Sequence, residues 1–163
     1  MKKITIDALS REERVAIEKS MLTEGTFALM AALVEYLGSE GTVNVLRPHA
    51  RMSGHAFTIN MLNMFGIEGS DIERIADVTE LYDEFMGGSA GGSIDIERST
   101  DKIIRTSPNC PYKAGLKESC IWGHEMTLNG ICEAINPEYE CRFLQMITKG
   151  DPMCSYIIEK KKK

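Results

Sequence analysis

Gly87-Gly88-Ser89-Ala90-Gly91-Gly92-Ser93-Ile94-Asp95-Ile96-Glu97-Arg98-Ser99-Thr100-Asp101-Lys102-Ile103-Ile104-Arg105-Thr106 is the stretch in which the period of the chain changes. The first seven residues are glycine, serine and alanine only, so they read as a hinge or loop. They lack the Lys-Ser/Thr ending of a phosphate-cradling loop and follow a helical pattern instead of a strand, which sets that reading aside. Beyond them the spacing turns from helical to alternating. Ser93 to Arg98 and Lys102 to Thr106 are two short expected strands, joined at Ser99-Thr100-Asp101.

On the N-terminal side of this switch the pattern is helical throughout. Ser10 followed by Glu13 is a capping-box signal. Phe27, Met30, Val34 and Leu37 behind it make one apolar stripe, which Gly38 stops. A second helical stretch runs from Val43 to Phe65, and Pro48 is expected to bend or interrupt it. Ser70 and Glu73 form another capping box, opening a third helix that ends near Gly87.

On the C-terminal side a helix from about Glu118 to Ile135 is stopped by Asn136 and Pro137. Tyr139 to Thr148 and Met153 to Glu159 then read as two strands around a tight turn at Gly150-Asp151. Two hairpins with one intervening helix imply an antiparallel sheet with helices on one face. The expected fold class is α+β, an N-terminal helical layer followed by a β-β-α-β-β antiparallel sheet. It forms a single domain over 1–163, with 1–87 helical and 93–160 holding the sheet and one helix.

Bulk properties narrow the function. A chain of 163 residues suits one core, and 43% apolar with 26% charged residues is an ordinary globular composition. A formal charge of -5 offers no basic field to recruit phosphate, so no nucleic-acid partner is expected. The Lys160 to Lys163 run reads as a solvated tail. No stretch approaches the roughly 20 apolar residues of a membrane span, and the first residues do not form a signal peptide. Five cysteines, an odd number in a chain without an export signal, argue against a full disulfide framework. A cytoplasmic protein with thiols free or metal-bound is the expectation.

The cysteines are the most informative candidate site. Cys110 precedes Pro111, Cys120 lies on the expected last helix, and His124 is four residues on, sharing a face with Cys120. Cys141 opens the next strand and Cys154 follows the final turn. Such a set suits a tetrahedral zinc site, buried thiols acting as small hydrophobes, or a nucleophile at Cys120 activated by His124. Cys132 reads as structural.

Arg47, Arg51 and His55 recur at i, i+4 and i+8, a basic stripe that is either a receptor for a carboxylate-bearing ligand or a solvated face. His49 falls off it. Gly54 inside this helix costs stability unless something approaches closely. Ten methionines suit irregular cores and adaptable pockets alike; Met61 and Met64 share a face, and Met86 lies in the same half. Trp122 is a pocket wall or part of the helix–sheet contact. Asp151 is explained by turn chemistry.

The pattern Cys110-Pro111-Tyr112, then Cys120, then Gly150-Asp151-Pro152-Met153-Cys154 with Ser155-Tyr156-Ile157-Ile158 resembles the superfamily of 4-vinyl reductase-type domains. The nearest branch is the L-2-amino-thiazoline-4-carboxylic acid hydrolase family. The resemblance covers roughly residues 105 to 160, and the helical half matches only through the Ser53-Gly54-His55 region. It implies a pocket between a helical layer and a twisted sheet, often in a homodimer. It also implies a zinc held by three cysteines and a glutamate, here Cys120, Glu138, Cys141 and Cys154. The run from Cys141 to Cys154 is longer than in aromatic-sensing relatives, and an ungapped match falls on Phe143 and Met146. That ligand set therefore requires a lengthened hairpin, with Cys110 or His124 as substitutes.

Three functions are open at this point. The favoured one is a sensor-like domain binding a carboxylate or hydrophobic small molecule. A second is a hydrolase opening the C–N bond of a ring carboxylic acid, with Cys120 and His124 catalytic and Arg47, Arg51, His55 and Trp122 holding substrate. The third is an interaction module.

Overall fold

The computed structural model describes residues 10–85, 95–108 and 123–162. Cys110, Cys120, Trp122, Met86 and the glycine-rich loop at 87–93 lie outside them. The elements are α1 (Arg11–Phe65), α2 (Ile72–Phe85), β1 (Asp95–Arg98), β2 (Lys102–Ser107), α3 (Glu125–Ile135), β3 (Tyr139–Gln145) and β4 (Cys154–Lys160). The architecture is α+β, with the β-β-α-β-β order expected from the pattern. No described helix is long and apolar enough to cross a membrane.

Gly38 breaks α1 as the sequence indicated, at φ 71° and ψ 168°, a backbone conformation that penalises any residue with a Cβ. Pro48 does not interrupt the helix. It lies inside the continuous turns of α1, where it removes one backbone donor without ending the run. The stripe expected from Phe27 to Leu37 is buried only in part: Met30 is buried whereas Leu37 is exposed. Met61 and Met64 also part company, at 8% and 69% exposure, because the narrow face that α1 buries takes in only the first. Of the twelve large apolar side chains exposed among the described residues, all but Leu144 are on α1.

The third helix begins one residue later than its capping box suggested. Asp71, not Ser70, accepts the Arg74 backbone N–H through Oδ1 at 2.9 Å, while the Ser70 carbonyl accepts from Asn136 Nδ2. Arg98 on β1 pairs with Glu73 and Glu80, tying that edge strand to α2.

The four strands are antiparallel in the order β1-β2-β4-β3. Ile75 and Val78 of α2, Leu128, Ile131 and Cys132 of α3, and Ile103 and Ile158 of the central strands are essentially inaccessible. The core is therefore the layer between these helices and the sheet. β3 is an edge strand whose free backbone groups are met from α3. Asn129 bonds both the N–H and the C=O of Cys141, at 3.0 and 2.8 Å, and Glu125 accepts the Phe143 N–H. β3 ends earlier than expected, at Gln145, after a register irregularity between Phe143 and Gln145. Its continuation is a short turn closed by Gly150 at φ 101° and by Asp151 Oδ2, which accepts the Met146 N–H at 2.7 Å.

α1 and α3 cross backbone to backbone. A Cβ on Gly54 would lie 2.0 Å from the Thr127 carbonyl oxygen, and one on Gly130 would lie 2.0 Å from that of Arg51. The close approach demanded by Gly54 is thus α3.

Candidate functional site

β2 alternates, so Ile103 and Arg105 point to the same, helix-covered face. Register places Arg105 opposite Tyr156 of β4, and Tyr156 opposite Phe143 of β3. These three side chains therefore form one row across the inner face of the sheet. α2 lays its last turns over that row and supplies Tyr82 and Asp83. A wider helical turn at Gly123 and His124 leads into α3 and brings in the imidazole, and α1 adds Phe57.

Asp83 is the hub, with 6% of its surface exposed. Its Oδ2 accepts from the Tyr156 hydroxyl at 3.0 Å and lies 2.8 Å from Arg105 Nη1, and its Oδ1 lies 3.2 Å from His124 Nε2. The Arg105 contact has the distance of an ion pair without the alignment of a hydrogen bond. Both Nη1 and Nε of this arginine are buried with no hydrogen-bond partner. Removing a charged buried group's partner typically costs about 3–5 kcal/mol, so Asp83 and Arg105 hold each other in place.

Rings surround the hub. His124 packs 5.4 Å from Phe143, 5.8 Å from Tyr82 and 5.9 Å from Tyr156, and Phe57 meets Tyr82 edge-on at 5.6 Å. Burial pushes the Tyr82 phenol up to about 12, against a hydrogen bond with Thr127. Burial and the neighbouring Asp83 charge raise Tyr156 well above the ordinary tyrosine range. Burial by itself would raise Asp83, but the contacts with His124, Arg105 and Tyr156 outweigh it and hold the carboxyl below its usual range. The result is a carboxylate contacted by a tyrosine hydroxyl, an imidazole and a guanidinium inside an aromatic wall.

Of the candidate site residues of the sequence that lie among the described residues, His124 joins this cluster. Arg51 is committed to Glu133 of α3, with Nε 2.6 Å from Oε2 and Nη2 bonded to Oε1. Arg47, His49 and His55 are exposed on α1. Cys132 and Cys141 belong to the core. Burial pushes the Cys132 thiol up to about 12 and raises Cys141 well above its ordinary value. Cys154 Sγ accepts the Ile147 N–H at 3.3 Å. Glu138 stays exposed beside Lys160. Among the described residues no group of three or more histidine, cysteine or acidic side chains is placed to hold a metal ion. The fourth member of the zinc set that the resemblance implies, Cys120, lies outside the described residues.

Asp83 and Arg105 were given no role in the sequence, and Tyr156 only stood within the resemblance motif, although the first two left a signal. Arg105 occupies a core-facing position two residues after Ile103. Asp83 lies four residues after buried Thr79 on the apolar face of α2. Opposite charges at two core-facing positions break the binary pattern, and such breaks concentrate at functional sites.

By sequence, no protein family and no curated protein matches the chain. Solved structures do match in fold. A trafficking protein particle complex subunit 3 from Naegleria fowleri, covalently bound to palmitic acid, superposes with a TM-score of 0.66 at 12% identity, covering 90% of this chain and 97% of that one. The phenol-responsive sensory domain of the transcription activator PoxR, with phenol, superposes with a TM-score of 0.58 at 15% identity, covering 83% of this chain and 73% of that one.

Proposed function

We propose that this chain is a small-molecule-binding, sensor-like domain whose ligand is taken where α2, the start of α3 and the central strands meet. The observation that carries this reading is the Asp83–Arg105–His124–Tyr156 cluster, an ionic and hydrogen-bonding hub walled by aromatic rings inside a helix–sheet layer. A buried polar constellation of this kind contributes little net stability compared with an apolar core, whereas convergent polar groups in an aromatic setting are the usual make-up of ligand sites. The reading is also supported by the two fold relatives, one holding palmitic acid and the other phenol. A homodimer belongs to the proposal, in keeping with the apolar side chains exposed along α1.

The test is titration of the full chain with phenol and related small aromatics, followed by calorimetry and native mass spectrometry. Binding should weaken at least tenfold in His124→Ala and stay unchanged in Lys102→Ala, an exposed position away from the cluster. Equal binding by both variants would remove the site from this cluster.

One contact favours a second reading, acid–base hydrolysis. His124 Nε2 lies 3.2 Å from Asp83 Oδ1, the arrangement in which a carboxylate orients an imidazole. It expects turnover of a ring carboxylic acid that Asp83→Asn removes. Recovery of unaltered ligand from the complex supports the sensor reading.

A further inference from the structure

The cluster has more donors than acceptors. Arg105 brings five N–H bonds, Tyr156 a hydroxyl and His124 at least one ring N–H when it donates, and the one acidic side chain they converge on is Asp83. The surplus falls on Arg105, which is 4% exposed and whose buried Nε and Nη1 have no hydrogen-bond partner. A buried donor without a partner is costly, and the cost is larger for a charged group. An incoming group that only accepts hydrogen bonds relieves it, and an anionic acceptor does so with charge-assisted bonds about twice as strong as neutral ones. An incoming N–H or ammonium group would have to compete for Asp83, which Tyr156, Arg105 and His124 already contact.

The surroundings fix the rest of the ligand. Phe57, Tyr82, His124 and Phe143 contact one another in a chain of rings at 5.4 to 5.8 Å, an apolar wall beside the guanidinium that favours an aromatic ligand body over a polar one. Of the four hub residues His124 is the most exposed, keeping 24% of its side-chain surface, against 4% for Arg105 and 7% for Asp83.

Building on the small-molecule reading above, we infer that the site takes a small aromatic carboxylate, with Arg105 receiving the carboxylate. Arg47 and Arg51, the arginines that the sequence pattern offered for this task, are exposed on α1, and Arg51 is occupied by Glu133. Arg105 is 4% exposed and ion-paired with Asp83, yet its Nε and Nη1 have no hydrogen-bond partner.

The probes are benzoate, its neutral isostere benzamide, and phenol, titrated into the full chain by calorimetry and by following the arginine Nε–H signals in a nitrogen-edited NMR spectrum. Benzoate should bind at least tenfold tighter than benzamide and should move the Arg105 Nε–H resonance, which benzamide leaves in place. Arg105→Gln should remove the preference, and Arg105→Lys, which keeps the charge and supports the fold, should retain part of it. Equal affinities for benzoate and benzamide, or a preference that survives in Arg105→Gln, overturn the inference. If phenol or benzamide binds without any benzoate preference, the small-molecule reading stands and the carboxylate inference falls. If none of the three binds, both fall.

Discussion

Replacing Gly54 with alanine tests the contact on which the helical layer depends. The added Cβ would lie 2.0 Å from the Thr127 carbonyl oxygen, 2.8 Å from its carbon and 3.0 Å from its Cα. A carbon–oxygen contact between packed backbones relaxes to about 3.3 Å, so α1 and α3 must separate by about 1.3 Å at their crossing. No side-chain rotation relieves this clash, because all three obstructing atoms are backbone. Overpacking of a tight contact costs about 1–3 kcal/mol, with more when a whole element has to move. Against it stands the helix-propensity gain of alanine over glycine, about 1 kcal/mol. Separation also loosens the Leu128 and Ile131 side of the core, so a net destabilisation of about 2–3 kcal/mol is expected. That is a large part of the stability of a typical domain. Urea unfolding followed by circular dichroism measures it. Gly130→Ala, which meets the Arg51 carbonyl oxygen at 2.0 Å, should cost a similar amount, and the double variant should cost less than the sum because one separation relieves both clashes. Gly25→Ala is the control, with nothing within 4 Å of its Cβ, and should be neutral or slightly stabilising. A Gly54→Ala protein as stable as that control would refute the backbone-to-backbone crossing.

Asp83→Asn should lower stability by about 3 kcal/mol or more, since it strands the Arg105 charge in the core; a loss under about 1 kcal/mol in urea unfolding would contradict the buried pair. Asp83, and Glu133 beside Arg51, are held below the ordinary carboxylate range in the fold. Their contribution is therefore complete above the unfolded value near pH 4 and is lost as pH falls through the folded value, so acid unfolding of Asp83→Asn should show a shallower pH dependence below about pH 4. Cys132 and Cys141 are buried with raised thiol values, and peptide mapping after a thiol-reactive disulfide reagent at pH 8 should find both unmodified until the protein unfolds. Elemental analysis tests the ligand set of Cys120, Glu138, Cys141 and Cys154: stoichiometric zinc that is lost in Glu138→Ala supports it, and equal metal content in that variant and the unaltered chain counts against it. Substituting exposed Tyr36 and Met52 with lysine should shift a homodimer toward monomer in light-scattering mass measurements, and an unchanged mass would place the interface elsewhere.

Local physics wrote the order of elements into the sequence. The switch from helical to alternating spacing after the glycine-rich stretch, the stop at Asn136 and Pro137, and the αL glycine at position 150 each act within a few residues, so each was legible without knowing the fold. Gly54 was legible as a question, a glycine too costly for a free helix face, and only the packing of α3 answered it. The basic stripe of Arg47, Arg51 and His55 was visible as a pattern, but its meaning depended on Glu133, 82 residues beyond Arg51. The hub was the least legible part, because Asp83, Arg105, His124 and Tyr156 come from four elements and meet through sheet register and helix placement. Residue identity and spacing along the chain therefore determined which elements form, while on α1 the buried face was fixed only by packing. Which buried charges meet, and which donors are left without a partner, was decided by tertiary structure, because hydrogen bonds and ion pairs act over a few ångströms while the residues that make them are tens of positions apart.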